Sequence, residues 1–372
     1  MRIGFYSSNE YPTPLAAGTI HGAIAIADTL VSGLVARGHH VDYFCTKESH
    51  TLAHKQSLGY RAFVNLPVNK QVADVFIRSK HTVLYSQRMM QDIYKYIQTH
   101  PVDVMHFHIV QEVIPLLALM PGVPKIITVH ENLFRTASAA AAFNNYFLQL
   151  FQNQPGNYFV SISKRQQAAV PKNIFFAKVH NGIDTQVFKF NPSPKDYLFY
   201  SGRFIPEKGV AVALQAAKLA HYPMKVAGLF DPRQPVPHDF KTTVTKLLHS
   251  QDVQHYGKIN QTQLVKLYGE AKALLVPIKW EEPFGLVIVE AMACGTPVIA
   301  FKNGAAPELI RDGKTGFIVR TLPEMVRAIK KIPTINRQAC RDHVEKNFSV
   351  PTMTKNYEVV YEAALKDFRK RS

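Results

Sequence analysis

Short apolar runs rich in β-branched residues alternate along the chain with longer stretches of amphipathic pattern. In the first half these runs cover residues 2–7, 41–45, 104–107, 125–129 and 158–162. In the second half they cover residues 197–200, 224–227, 253–256, 273–277, 297–301 and 316–319. Continuous apolar strands separated by helices are typical of parallel sheets with both faces covered. The pattern therefore predicts an α/β protein.

The alternation of strands and helices starts twice, on either side of a polar stretch with two prolines at residues 191–196. Such a stretch is typical of a linker, and 372 residues are too many for a single core. We therefore predict two doubly wound domains, over residues 1–190 and 191–350, and a helix over 351–372 that packs back towards the first domain. Ligands of such sheets bind outside the carboxyl ends of the strands, so we expect a site in a cleft between the two domains.

The composition is that of a globular protein, with 47% hydrophobic and 19% charged residues. No apolar run approaches the length of about 18 residues that a membrane-spanning helix needs. The chain opens on a strand pattern without a basic and apolar leader, so no signal peptide is expected. The cysteines, Cys45, Cys294 and Cys340, are odd in number and far apart, which indicates reduced structural thiols. These features predict a cytoplasmic protein.

The formal net charge of +17 is the unusual bulk property, and the basic excess is spread over both halves of the chain. A nucleic-acid partner, an anionic membrane surface or a generally basic proteome would each explain it. The segment Arg61–Lys95 mixes basic and apolar residues, as segments lying on the inner face of a membrane do. The alternative for this segment is a solvated helix with one core face. Interleaved aromatic and basic modules are missing, so a nucleic-acid partner is not expected.

The most informative element follows the apolar run 273–277. A turn with two carboxylates, a proline and a glycine leads into a predicted helix that begins near Gly285 and carries Glu290 two turns later. The N-terminus of a helix offers unpaired N–H groups and a partial positive charge, which suit a phosphate. Glu282 and Glu290 can accept hydrogen bonds from sugar hydroxyls. The alternative is an ordinary strand–turn–helix in which an acidic residue caps the helix.

A second loop, after the strand pattern 197–200, contains Gly202, Arg203, Lys208 and a closing glycine. An arginine and a lysine between glycines can clamp a diphosphate, and exposed surface cations are the alternative. The loop lacks the P-loop spacing, so ATP hydrolysis is not predicted. The loop after the first strand, residues 7–22, lacks the G-x-G-x-x-G spacing, so a nicotinamide dinucleotide site is not supported.

Histidines mark the strand ends of the first half. His106 and His108 alternate on one strand and share a face, and His130 ends the next strand. Two histidines without a third ligand at metal spacing argue against a zinc site. His130 is either a hydrogen-bonding group of the cleft or a structural histidine with satisfied partners.

Together these motifs resemble glycosyltransferase family 4, the retaining nucleotide-sugar transferases with the GT-B fold of two Rossmann-like domains facing across a cleft. The resemblance covers most of the chain. Beside the Glu282 to Glu290 element it rests on Arg37-Gly38-His39, Ser161-Ile162-Ser163, Asn181-Gly182-Ile183-Asp184, Gly202-Arg203 with Glu207-Lys208-Gly209, and the segment from Pro307 to Phe317.

The resemblance implies roles for individual residues. The catalytic residues would be His130, Arg203, Lys208 and Glu282, with the two cations on the donor diphosphate and Glu282 on the transferred sugar. The donor-binding residues would be Gly22, Gly202, Lys258, Ile259, Phe284, Gly285, Leu286, Val287 and Glu290. Among these, Glu290 would accept from the ribose, and Lys258 and Ile259 would touch the nucleobase. His21 stands where family members commonly have the first glycine of a Gly-Gly pair, which puts close backbone approach there in doubt.

The implied reaction retains anomeric configuration and needs no metal or other cofactor. It moves a sugar from a nucleotide diphosphate, UDP being favoured over GDP, to a hydroxyl of a glycan, a lipid-linked sugar or a lipid. A peripheral position on an anionic membrane would suit the positive charge. The alternatives are an epimerase or phosphorylase of the same fold and, outside the enzymes, a basic nucleic-acid-binding protein.

Overall fold

The computed structural model describes residues 1–16, 21–67, 75–108, 120–133, 148–152, 154–231 and 234–371, together with Leu117, Ala142 and Tyr146, and only the backbone of residues 75–79. The chain divides into two compact units. One comprises Met1–Gly182 with Val350–Ser372, and the other comprises Ile183–Ser349.

The strands are β1 (Arg2–Tyr6), β2 (His40–Phe44), β3 (His54–Gln56), β4 (Val104–Phe107), β5 (Lys125–Val129), β6 (Asn157–Ser161), β7 (Ala177–Lys178), β8 (Leu198–Ser201), β9 (Met224–Ala227), β10 (Val253–Gly257), β11 (Ala273–Val276), β12 (Val298–Phe301) and β13 (Gly316–Val319). The helices are α1 (Gly22–Ala36), α2 (Val75–Thr99), α3 (Lys164–Gln167), α4 (Val210–Ala220), α5 (His238–Leu248), α6 (Gln261–Glu270), α7 (Leu286–Ala293), α8 (Ala306–Leu309), α9 (Leu322–Lys331), α10 (Arg337–Asn347) and α11 (Val350–Arg371). Short 3₁₀ turns lie at Phe63–Asn65, Pro206–Lys208 and Ile332–Thr334.

Each unit is built on one sheet of parallel strands. The first sheet has the order β3-β2-β1-β4-β5-β6-β7 and the second the order β10-β9-β8-β11-β12-β13. In both, the strand order reverses beside the first strand of the unit, as in Rossmann-type sheets. Every residue of the central strands β4, β5 and β11 is buried, and apolar residues predominate in them, as in parallel strands covered on both faces. The prediction of two doubly wound α/β domains is confirmed.

The chain passes from the first unit to the second after Gly182, ahead of the predicted boundary at residue 190. The segment that follows is tied to the second unit by backbone contacts. The Ile183 N–H donates to the Phe348 carbonyl at 2.8 Å. The Arg341 guanidinium, which is largely buried, donates to the carbonyls of Thr185 at 2.9 Å and Phe188 at 2.6 Å. The proline-rich stretch 191–196 therefore lies inside the second unit.

The C-terminal helix α11 belongs to the first unit and packs on α1. Gly33 of α1 permits this contact, since a Cβ there would overlap Thr354 of α11. At the end of α1, Arg37 Nε and His39 Nε2 lie 2.7 and 2.8 Å from the same Glu358 oxygen. The Arg37-Gly38-His39 motif thus anchors the last helix to the first.

The segment Arg61–Lys95 lies only partly within the described residues, since residues 68–74 and the side chains of 75–79 fall outside them. Its described part enters α2, where Met89, Met90 and Ile93 are buried in the core of the first unit and Leu84 is exposed. This is the arrangement of a helix with one core face. Among the described helices, none combines the length and apolar character needed to cross a bilayer.

Candidate functional site

Two loops of the second unit meet where its strand order reverses. One follows β8 and contains Gly202, Arg203 and Lys208, and the other follows β11 and contains Glu282 and Gly285. The backbone of the two loops is joined by a hydrogen bond from the Lys279 N–H to the Glu207 carbonyl at 2.7 Å. In parallel α/β sheets this edge is where ligands bind. The topology therefore gathers the predicted cations and carboxylate at a single place.

Lys208 and Glu282 form the centre of this site. Lys208 Nζ lies 2.6 Å from Glu282 Oε2, and each side chain is 19% exposed. The indole N–H of Trp280 donates to the same oxygen at 2.6 Å, and Lys208 Nζ lies 4.9 Å from the centroid of the indole ring. Trp280 was not among the predicted residues. The signal available in the sequence was that the chain's single tryptophan stands beside the carboxylates of the predicted turn.

The backbone of Glu282 is fixed by the loop after β12. The Ala305 N–H donates to the Glu282 carbonyl at 2.9 Å, and the Gly304 N–H donates to Glu281 Oε2 at 2.8 Å. Gly304 has a φ of 55°, and a Cβ there would overlap the backbone nitrogen and oxygen of Glu282. Only glycine combines this conformation with so close an approach. Gly304 is a second residue of the site that the sequence did not single out.

Helix α7 begins directly after the turn that carries Glu282. Gly285 is its N-cap with a φ of 101°, no side chain caps the helix, and its first turn carries no acidic residue. The N–H groups of Leu286 and Val287 therefore have no side-chain cap, as an anion site requires. Glu282 bonds Lys208 and Trp280, so the alternative in which this acid caps the helix is wrong. The Phe284 side chain is buried and lies edge-on to Phe348, with ring centroids 6.2 Å apart.

Glu290 has a separate environment. Its Oε2 accepts a hydrogen bond from the Tyr268 hydroxyl at 3.1 Å, and Tyr268 is fully buried. Burial raises the pKa of Glu290 to about 7, and the Tyr268 hydrogen bond opposes part of that rise. The carboxyl group is thus poised between its neutral and ionised forms near pH 7.

Arg203, Lys258 and Ile259 lie at the same edge of the sheet with other neighbours. Arg203 donates to Gln234 Oε1 at 2.7 Å, a partner that the sequence did not identify. Lys258 and Ile259 follow β10, which is separated from β8 by β9. The structure therefore places these three residues at the sheet edge that holds the Lys208–Glu282 pair, and no hydrogen bond between them and that pair is found among the described residues.

The remaining predicted residues, His130 and Gly22, belong to the first unit. His130 Nε2 lies 2.9 Å from His108 Nδ1, and burial lowers the pKa of His130 to about 3, so the imidazole is neutral. Gly22 is the first residue of α1, and the preceding His21 caps that helix by accepting from the Ile24 N–H at 3.4 Å. His21 is thus a helix cap. Residues 17–20 of the preceding loop lie outside the described residues.

His106 is a structural histidine. Its Nδ1 lies 2.7 Å from the Tyr361 hydroxyl and its Nε2 lies 2.8 Å from Thr128 Oγ1, which ties β4 and β5 to α11. Among the described residues, the group with metal-ligand geometry is His40, Asp42 and His54 at the outer strands of the first sheet. Asp42 there already accepts from Arg2 at 2.8 Å and lies 2.6 Å from His54 Nδ1. None of the predicted site residues belongs to that group.

Comparison with known families and proteins agrees with this layout. Residues 20–187 match the family described as Glycosyltransferase Family 4, and residues 183–345 match Glycosyl transferases group 1. A D-inositol 3-phosphate glycosyltransferase of Mycobacterium sp. (strain KMS) is 30% identical over 212 residues, which are 52% of this chain and 48% of that protein. The chain spans about half the length of the curated relatives it matches.

Solved structures share the fold along the whole chain. A sucrose-phosphate synthase from Thermosynechococcus elongatus superposes with a TM-score of 0.74 and 19% identity, covering 99% of this chain and 100% of that one. The Anabaena protein HepE in complex with UDP superposes with a TM-score of 0.70 and 17% identity, covering 98% and 100%. At these identities the likeness shows the fold, two Rossmann-like units as in GT-B glycosyltransferases.

Proposed function

Because the chain belongs to glycosyltransferase family 4, we propose that it transfers a sugar from a nucleotide-sugar donor to a hydroxyl acceptor. The observation that carries this proposal is the Lys208–Glu282 pair beside the uncapped N-terminus of α7. A cation and free N–H groups suit phosphate oxygens, and a carboxylate suits sugar hydroxyls. A diphosphate linked to a sugar presents both kinds of group side by side.

Donor binding exchanges the partners of the ion pair. Lys208 turns from Glu282 to the diphosphate, together with Arg203 and the N–H groups of Leu286 and Val287. Glu282 then accepts from a hydroxyl of the transferred sugar. Negative charge grows on the diphosphate as its bond to the anomeric carbon breaks, and these groups stabilise that charge. The residues thus supply by themselves the positive field that leaving-group departure needs, so we propose a reaction without a metal or other cofactor.

Retention of anomeric configuration follows if the acceptor approaches on the face that the diphosphate leaves. The bond from the anomeric carbon to the phosphate oxygen breaks, the bond to the acceptor oxygen forms, and a donor phosphate oxygen takes the acceptor proton. Glu282 and Glu290 are hydroxyl acceptors in this scheme and neither is a nucleophile. His130 and Gly22 of the first unit are proposed contacts of the transferred sugar and the donor.

We propose a UDP-sugar as the donor and a GDP-sugar as the alternative. The HepE complex with UDP supports the first choice through the shared fold. Glu290 accepts from the ribose, Lys258 and Ile259 after β10 border the nucleobase, and Gly202 after β8 is a further donor contact. The acceptor is a hydroxyl of a glycan, a lipid-linked sugar or a lipid. The relative named for inositol 3-phosphate adds a phosphorylated polyol to these classes. We propose a cytoplasmic enzyme, and the net charge of +17 supports a peripheral contact with an anionic membrane.

A thermal-shift screen tests the proposal, because a ligand that binds the native state raises its unfolding temperature. UDP, GDP, ADP and one sugar derivative of each are compared at equal concentration. We expect UDP and a UDP-sugar to raise the midpoint. Incubation with the stabilising donor alone, followed by product analysis, distinguishes an epimerase from a transferase, and added phosphate distinguishes a phosphorylase. If none of the nucleotides or nucleotide sugars raises the unfolding temperature, the proposed function is contradicted.

A further inference from the structure

Trp280 contacts both members of the central ion pair. Its indole N–H donates to Glu282 Oε2 at 2.6 Å, and the ring lies beneath the Lys208 ammonium at 4.9 Å. An indole is a hydrogen-bond donor only, so it cannot exchange roles with the carboxylate. A cation above an indole face is attracted by the ring quadrupole. One side chain thus orients the carboxylate by its edge and the ammonium by its face.

The two oxygens of Glu282 are used differently. Oε2 receives both the indole N–H and the lysine ammonium, each at 2.6 Å. Among the described residues, no hydrogen bond to Oε1 is found. With its side chain 19% exposed, Glu282 can be reached by a ligand. The arrangement therefore holds one oxygen in place and leaves the other for a hydroxyl.

On the premise of the proposed function, we infer that Trp280 is a positioning residue that presents Glu282 Oε1 to a hydroxyl of the transferred sugar and so sets the affinity for the sugar part of the donor. Donor binding draws Lys208 onto the diphosphate, which removes the countercharge of Glu282. The indole N–H stays on Oε2 and keeps the carboxylate hydrogen-bonded and oriented. Without the indole N–H, none of the described side chains would hydrogen-bond the carboxylate after Lys208 has turned to the diphosphate.

The inference predicts different effects on the binding of two ligands that share a nucleotide. UDP has phosphates for Lys208 but no sugar hydroxyl for Glu282, whereas UDP-glucose has both. Loss of the indole N–H should therefore weaken the binding of UDP-glucose and spare UDP. A charge-assisted hydrogen bond contributes enough to change affinity by about tenfold.

The test variant is Trp280→Phe, which keeps an aromatic face for Lys208 and removes the N–H. Tyr222→Phe is the matched control, because Tyr222 also lies under a lysine, with Lys272 Nζ 4.6 Å from its centroid, away from the site. Calorimetric affinities for UDP and UDP-glucose, and for GDP and GDP-mannose, are measured on folded protein. In the nucleotide series that wild type binds, we expect Trp280→Phe to lose about tenfold for the sugar derivative and less than about twofold for the free nucleotide.

Trp280→His is the rescue variant, since its ring retains an N–H donor and should recover part of the sugar-derivative affinity. An unchanged ratio between nucleotide sugar and nucleotide in Trp280→Phe, with normal wild-type binding, would overturn the inference alone. Equal losses for both ligands would also overturn it, because they indicate a merely structural role. Wild-type protein that binds none of the four ligands would overturn the proposed function and this inference together.

Wild-type protein offers a measurement that does not depend on a folded variant. Trp280 is the single tryptophan, so tryptophan emission comes from this position alone. UDP moves only the cation from above the ring, whereas UDP-glucose also engages the carboxylate that the indole holds. We expect a larger change in emission with UDP-glucose than with UDP at saturation. Equal changes would contradict the inference.

Discussion

The ammonium of Lys208 and the carboxylate of Glu282 meet at 2.6 Å although they come from different loops of the second unit. In the proposed function, the pairing places a cation for phosphate directly beside an acceptor for sugar hydroxyls. It also means that each group compensates the other's charge before a ligand arrives. A donor that binds both groups must replace this ion pair with contacts of equal charge complementarity.

Substitution of Lys208, Glu282 or Arg203 should abolish sugar transfer with little effect on folding. We expect Lys208→Ala and Glu282→Gln each to lower sugar transfer by orders of magnitude, and Arg203→Ala to do the same, because the proposed function gives all three a role on the donor. The partly exposed ion pair should contribute about 1 kcal/mol or less to the free energy of unfolding. Initial rates of transfer and urea unfolding curves measure the two effects.

Lys195→Ala is the control for these variants. Lys195 Nζ lies 2.9 Å from Glu270 Oε1 in the same unit, so the substitution also breaks an ion pair. We expect wild-type transfer rates from it. Near-wild-type turnover in all three site variants would contradict the assignment of the site.

Ionisation of Glu290 should control donor affinity. Burial raises its pKa to about 7, and only the ionised carboxylate accepts hydrogen bonds from two ribose hydroxyls through both oxygens. Affinity for UDP-glucose should therefore rise as the pH increases from 6 to 8. The sugar-linked diphosphate keeps its charge over this range, so the change reports the protein. Calorimetric titrations of wild type and Glu290→Gln should show the pH dependence in wild type only, and a parallel dependence in both would contradict the role.

The same group gives a stability test with a defined sign. The unfolded chain releases the Glu290 proton near its ordinary pKa of 4.5, and the folded chain holds it until about 7. The folded state therefore binds more protons between these values, and the free energy of unfolding falls as the pH rises through them. Glu290→Gln should remove this component of the decline.

The sequence predicted the central strands well because apolar residues predominate in each, as in strands buried on both faces. It missed β3, whose residues His54 to Gln56 are polar, because an edge strand with exposed side chains carries no apolar pattern. It identified Lys208 and Glu282 separately. Their contact, and the contacts of Trp280 and Gly304, arise where loops from different strands meet. Spacing along the chain does not reveal which loops become neighbours.

Glu358 should stabilise the first unit only above acidic pH. The hydrogen bond from Arg37, and then that with His39, hold the pKa of Glu358 below its ordinary value of 4.5. A carboxyl group whose pKa is lower in the folded state stabilises the protein at any pH above its pKa in the unfolded state. This stabilisation is lost as the pH falls through the pKa of the folded state. We expect Glu358→Gln to lower the free energy of unfolding by roughly 1 kcal/mol or less at pH 7. The difference should shrink on acidification below pH 4.5. Glu362→Gln, at an exposed position of α11, is the control, and equal effects of the two variants at pH 7 would contradict the anchor.

Gly304 should be required for donor binding although it has no side chain that could contact the donor. A Cβ at this position would overlap the backbone nitrogen and oxygen of Glu282. Gly304→Ala must therefore displace the loop that carries Glu282 and Trp280. We expect the affinity for UDP-glucose to fall by at least about tenfold, since several oriented hydrogen bonds to the sugar are lost together. Calorimetry measures the affinity, and thermal unfolding measures the accompanying loss of stability.

Gly313→Ala separates this steric effect from backbone strain. Gly313 also has a left-handed φ, of 70°, but a Cβ there has open space, with no atom within 4 Å. Both substitutions incur the left-handed penalty of about 1–2 kcal/mol, and only Gly304→Ala adds a collision with the Glu282 backbone. Gly313→Ala should therefore lose stability while keeping its affinity for UDP-glucose. If both variants keep that affinity, the loop after β12 does not fix Glu282; if both lose it equally, strain alone accounts for the loss.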